Sequence, residues 1–141
     1  MRLHYILLFV LGFSLTLSAQ VAVIAHKEVP ADEISHTELY DFYTGDIQKW
    51  NNGKPVIVLD LKPKSELKDQ FYEFMGTTTS RIKSIWLKKM LAGEKDPPQA
   101  METELEMLKK VASTPGSIGF VAEEKVTDKV KVLYIIKDEE G

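Results

Sequence analysis

Val21-Ala22-Val23-Ile24-Ala25 is an uninterrupted apolar run of strand length. A strand with one wet face alternates apolar and polar residues, whereas a run without alternation belongs to a strand covered on both faces. These five residues therefore predict the central strand of a sheet sandwiched between helix layers. Pro30 closes the strand, and Ser35-His36-Thr37-Glu38 matches a capping box, in which the Ser oxygen and the Glu carboxylate satisfy free amides at a helix start. The helix that follows turns Leu39, Phe42 and Tyr43 inward and ends at Gly45.

Further along, Asn51-Asn52-Gly53 is a turn signal, and Pro55 to Leu61 reads as the second strand. Ser65 caps a helix whose apolar stripe is Leu67, Phe71, Phe74 and Met75, with Gly76 as its stop. Thr77 to Ser80 offer caps for a third helix over Arg81 to Leu91, with Ile82, Ile85, Trp86, Leu87, Met90 and Leu91 as a wide apolar surface. Its polar side carries Arg81, Lys83, Lys88 and Lys89, which suits either an anion or partner patch or a plain solvated face. After a loop at Gly93 to Pro98, a fourth helix is expected through Met101, Leu105, Leu108 and Ala112, ended by Thr114-Pro115-Gly116. Ser117 to Val121 and Val130 to Ile136 are the last two strands. Strands alternating with helices predict a three-layer α/β domain with a mostly parallel or mixed sheet.

The N-terminus points outside the cytoplasm. Arg2 and His4 precede an apolar run from Tyr5 to Leu17, and Leu17-Ser18-Ala19 supplies the small residues at which a signal peptidase cuts. The expectation is a signal peptide over 1–19 and a single domain over 20–141, periplasmic or secreted. The competing reading is a retained N-terminal anchor. With 18 basic and 21 acidic residues and no basic tract, the chain offers no field for a nucleic-acid backbone. The absence of cysteine excludes disulfides, thiol catalysis and zinc-thiolate sites. Neither a Gly-x-Ser-x-Gly nor a His-Glu-x-x-His pattern nor a phosphate-cradling Gly-rich loop occurs, so neither an enzyme nor a cofactor is predicted. The acidic groups Glu102/Glu104/Glu106 and Asp138/Glu139/Glu140 read as solvated charge.

Three segments, in order, resemble the phosphate-type substrate-binding proteins of ABC transporters. Leu39-Tyr40-Asp41-Phe42-Tyr43-Thr44-Gly45-Asp46-Ile47-Gln48-Lys49-Trp50-Asn51 is similar to the family's Phe-x-Gly-x-Ile-x-x-Trp stretch. Val56-Ile57-Val58-Leu59-Asp60 leads, as in the family, to a Ser-capped helix containing Phe. Thr114-Pro115-Gly116-Ser117-Ile118-Gly119-Phe120-Val121 is close to the family's Thr-Pro-Gly-Ala-Ile-Gly-Tyr turn and strand. The resemblance implies one lobe of the bilobed type II periplasmic binding fold, in which an oxyanion such as phosphate lies between two lobes on helix N-terminal amides. It also implies a membrane transporter or other envelope protein as partner.

The loop that would hold the anion departs from the family. Where the family has Arg followed by Ser-Gly-Thr, this chain reads Leu61-Lys62-Pro63-Lys64-Ser65-Glu66-Leu67. Ser65 matches, Leu61 stands nearest the Arg position, and Glu66 and Leu67 replace Gly-Thr. Lys62 or Lys64 can supply charge, as a point charge rather than a bidentate fork. His26 and Lys27 join the candidate ligand-binding set because they follow the first strand at its carboxyl end, where ligands collect in open parallel sheets. A lone imidazole without a second ligand at metal spacing does not predict a metal site. Two functions follow: an exported module with an oxyanion half-site, or a lobe that has lost its ligand and serves as a structural or interaction module.

Overall fold

The computed structural model describes residues 20–137. The expected signal peptide and Asp138/Glu139/Glu140 lie outside the described residues.

The element order is β1 (Val21–Ala25), α1 (His36–Thr44), β2 (Ile57–Leu61), α2 (Glu66–Phe74), α3 (Thr79–Leu91), β3 (Gln99–Met101), α4 (Glu104–Ser113), β4 (Ser117–Ala122) and β5 (Lys131–Ile136). The sheet order is β3-β2-β4-β1-β5. β2 runs parallel to β3 and β4, whereas β1 is antiparallel to both of its neighbours, β4 and β5. The sheet is thus mixed. β1 is flanked on both sides and wholly buried, as its composition requires, but β4 holds the middle place and is buried at all six residues.

Alternation along β4 fixes the layers. Phe120 stacks on Phe71 of α2 with ring centroids 3.9 Å apart, and its neighbour Gly119, facing the other way, meets Met107 of α4. α1 shares the α2 face, since the Tyr43 ring lies 4.8 Å from Phe71 and its hydroxyl donates to the Leu59 carbonyl at 2.7 Å. α3 covers α1 and α2 from outside, where Trp86 Nε1 donates to the Tyr43 carbonyl at 2.8 Å. Helices on both faces of the sheet give the predicted three-layer α/β lobe.

Four local expectations are corrected. Met101 belongs to β3, not to the fourth helix, because Thr103 caps α4 by accepting from the Glu106 amide. Leu105 is consequently exposed, and Met107, Leu108 and Val111 face the core. On α3 only Ile82 and Trp86 are buried, while Leu87, Met90 and Leu91 are exposed, Leu91 to 78%. A helix that packs on other helices rather than on the sheet buries a narrower stripe. The α2 stripe is also rotated: Lys68, Phe71, Tyr72 and Met75 are buried, with Leu67 and Phe74 at its margin.

Two quoted segments meet across the fold. Trp50 Nε1 donates to the Gly116 carbonyl at 3.0 Å, and the Ile57 amide donates to the same oxygen at 3.0 Å. Gly116 has φ of 81°, the left-handed region that a residue with a Cβ rarely adopts. The turn that ends α4 is thereby tied to the start of β2.

Candidate functional site

β2, β3 and β4 run in one direction, so Leu61, Met101 and Ala122 end on one rim of the sheet, and antiparallel β1 begins there at Val21, opposite Ala122. The N-termini of α2 and α4 open onto that rim. Ser65 caps α2 by accepting from the Lys68 amide at 3.1 Å. Lys64 is exposed in the same loop, and Lys62 extends from it to Glu102 Oε1 at 3.1 Å. Ser65 and Lys64 thus share the entry to α2, whereas the Lys62 ammonium is engaged by Glu102.

His26 and Lys27 are not part of that group. Because β1 is antiparallel, its carboxyl end lies where β2 and β4 start: the His26 amide donates to the Ser117 carbonyl, and Ala25 pairs with Ile118. The rule that ligands gather at strand carboxyl ends presumes a parallel strand, and β1 is not one. His26 Nδ1 accepts from the Glu28 amide at 3.1 Å, the local hydrogen bond of a loop residue. Among the described residues no cluster of three metal-ligating side chains occurs.

The loop holds a cation that the sequence reading did not single out. Lys68, 8% exposed, folds back from the first turn of α2. Its ammonium donates to the Leu61 carbonyl at 2.6 Å and lies 3.6 Å from Asp60 Oδ2. Asp60 Oδ1 accepts from the Leu61 amide at 2.8 Å. Beneath them, burial drives the phenols of Tyr43 and Tyr72 well above the usual tyrosine range, and the Asp60 carboxylate pushes both further. The sequence signal for Lys68 was its spacing: 68, 71, 72 and 75 follow one helical stripe of which only position 68 is charged.

Carboxylates already occupy much of the rim. Glu104 accepts from the Ala122 amide at 2.7 Å and also from Lys125, whose ammonium pKa this hydrogen bond raises. Glu106 Oε2 accepts from the Glu102 amide at 3.0 Å. Amides that an oxyanion would seek are thus met by side chains of the protein itself, while the N-terminal amides of α2 retain only Ser65 as a cap.

No protein-family model and no curated protein matches the chain. Among solved structures, the fold is similar to that of a Clostridium perfringens protein with bound phosphate, assigned to the phosphate ABC transporter substrate-binding proteins, at TM-score 0.67 and 21% identity over 82% of this chain and 45% of that one. An ABC-type phosphate transport receptor from Vibrio cholerae is similar at TM-score 0.64 and 17% identity, covering 82% and 46%. PstS from Borrelia burgdorferi is similar at TM-score 0.58 and 15% identity, covering 82% and 47%. The chain therefore has the fold of part of these receptors and spans less than half of their length.

Proposed function

We propose that this protein is an exported, non-catalytic binding module of the substrate-binding-protein type that presents an oxyanion half-site, with phosphate as its ligand, at the N-terminus of α2. One observation carries the reading: the N-terminus of α2, capped by Ser65 and entered through the exposed Lys64, opens at the carboxyl end of β2, with Lys62 in the same loop paired to Glu102. A hydroxyl, free amides and the positive end of the helix dipole suit an anion there. A second lobe, supplied by a transporter, another envelope protein or a second copy, would complete the enclosure.

Alone, the half-site is expected to be weak. A helix terminus contributes on the order of 1 kcal/mol toward an anion, and Leu61 replaces the Arg fork that could take binding to micromolar. Titration of the protein with inorganic phosphate, followed by amide shifts at Glu66 and Leu67, should give a dissociation constant of roughly millimolar. Ser65→Ala should lower stability by about 1 kcal/mol through the lost cap and change affinity little. Micromolar binding by a proven monomer would refute the half-site. An absence of saturable binding would favour the second reading, a ligand-free interaction lobe, which gains support from the rim amides held by Glu104 and Glu106.

Export is a proposal with its own test. N-terminal sequencing of the extracytoplasmic protein should begin at Gln20 or within a residue or two, as the Leu17-Ser18-Ala19 segment requires. Recovery of an intact Met1 start from that fraction would count against cleavage.

A further inference from the structure

A groove of about 790 Å³ lies between α1, the turn joining α2 to α3, and the first half of α3. It opens beyond the C-terminal end of α2, whereas Ser65 stands at the N-terminal end, on the order of 13 Å away along nine residues of helix. Its basic lining is Arg81 and Lys88, and no acidic residue lines it. Among the described residues neither cation forms an ion pair. The α3 contacts with carboxylates are the Thr79 hydroxyl on Asp69 at 3.3 Å and the Lys89 ammonium on Asp46 at 3.5 Å, and neither aspartate lines the groove.

The N-terminus of α3 opens into the same space. Thr78 caps this thirteen-residue helix by accepting from the Arg81 amide, which leaves the Thr79 and Ser80 amides without an intrahelical acceptor. Thr77, among the residues lining the groove, is only 7% exposed, and its buried hydroxyl has no hydrogen-bond partner among the described residues. A buried hydroxyl left unpaired is costly, so it marks a place where a polar partner is missing. Tyr40 and Ile85 form apolar walls.

We propose that this groove is a second anion site, separate from the Ser65 rim, for a small organic phosphate whose phosphoryl group sits at the start of α3 between Arg81 and Lys88. Two unpaired cations, hydroxyls and a helix N-terminus answer the charge, while Tyr40 and Ile85 receive an organic body. The volume falls in the range of small-molecule sites, roughly 300–1,000 Å³, and exceeds what inorganic phosphate alone fills. The exposed basic side of α3 thus has an anion-binding role rather than only a solvating one.

Phenyl phosphate is a suitable probe, read by amide shifts in the nuclear magnetic resonance spectrum of the purified protein. Saturable shifts are expected at Tyr40 and from Thr77 to Arg81, and none with phenol. Arg81→Ala and Lys88→Ala, both at exposed side chains, should each weaken binding about tenfold while leaving distant resonances in place. Lys64→Ala should leave this affinity unchanged. Shifts confined to the Ser65 rim, equal binding of phenol, or full affinity in the Arg81→Ala/Lys88→Ala double variant would overturn the assignment. Failure of phosphate to bind at Ser65 would leave it standing.

Discussion

Gly116→Ala is expected to destabilise the protein by about 3 kcal/mol, against about 1 kcal/mol for Gly53→Ala. Both glycines have left-handed backbones, with φ of 81° and 82°, so both variants carry the steric cost of a side chain in that region. They differ in what a Cβ would meet. At Gly53 nothing lies within 4 Å, whereas at Gly116 the new carbon would stand 2.6 Å from the Pro55 carbonyl oxygen. That oxygen belongs to the backbone leading into β2, so relief must move the chain and weaken the bonds that Trp50 Nε1 and the Ile57 amide make to the Gly116 carbonyl. Urea unfolding of the two variants measures the difference. A Gly116→Ala variant no less stable than Gly53→Ala would show that this junction relaxes freely.

Lys68→Met is expected to cost about 3 kcal/mol, although methionine suits an apolar helix face. The Lys68 and Asp60 side chains are 11% and 17% exposed, so solvent screens the pair only slightly. Removing the cation leaves the Leu61 carbonyl without its 2.6 Å donor and leaves Asp60 a charge in poorly hydrated surroundings. Asp60→Asn added to Lys68→Met should recover part of the loss, because the stranded charge is then gone. Chemical unfolding of the two single variants and the double variant gives the coupling directly. Strict additivity would mean that the ammonium acts through the Leu61 carbonyl alone. The substitution also tests the rim, since the segment from Leu61 to Ser65 is held from below by this side chain.

The two variants mark the two sides of what the sequence discloses. The resemblance of Thr114 to Val121 to a family turn and strand pointed to the fold, and the observed geometry supplies its cause: Gly116 turns with positive φ, Ser117 donates from its hydroxyl to the Val111 carbonyl, and Gly119 leaves room for Met107. Caps at Ser35 and Ser65 were legible because a hydroxyl before an apolar periodicity has a local cause, the free amides of the first turn. Burial of Val21 to Ala25 was legible too, since five apolar residues in a row leave a strand no face for water.

Direction and neighbourhood were not legible in the same way. The apolar run of β1 fits either strand direction, and only its pairing with Ala122 and Ile136 at one end places Val21 on the rim and sends His26 and Lys27 to the opposite end. Gln99 to Met101 carries no strand signal in the sequence, because a three-residue edge strand has no periodicity of its own and exists through its pairing with β2. Lys68 carries the same lesson for the site. Its charge argued for solvent, and its burial depends on two partners, the Leu61 carbonyl and Asp60, that only the packing of α2 on β2 brings within reach. Apart from β3 and the cap of α4, the sequence thus determined which segments form elements, where their caps and turns fall and that a three-layer α/β lobe results, because those are short-range preferences. Tertiary structure alone decided which elements share a rim and which charges meet there, because those depend on strand direction and on contacts between residues far apart in the chain.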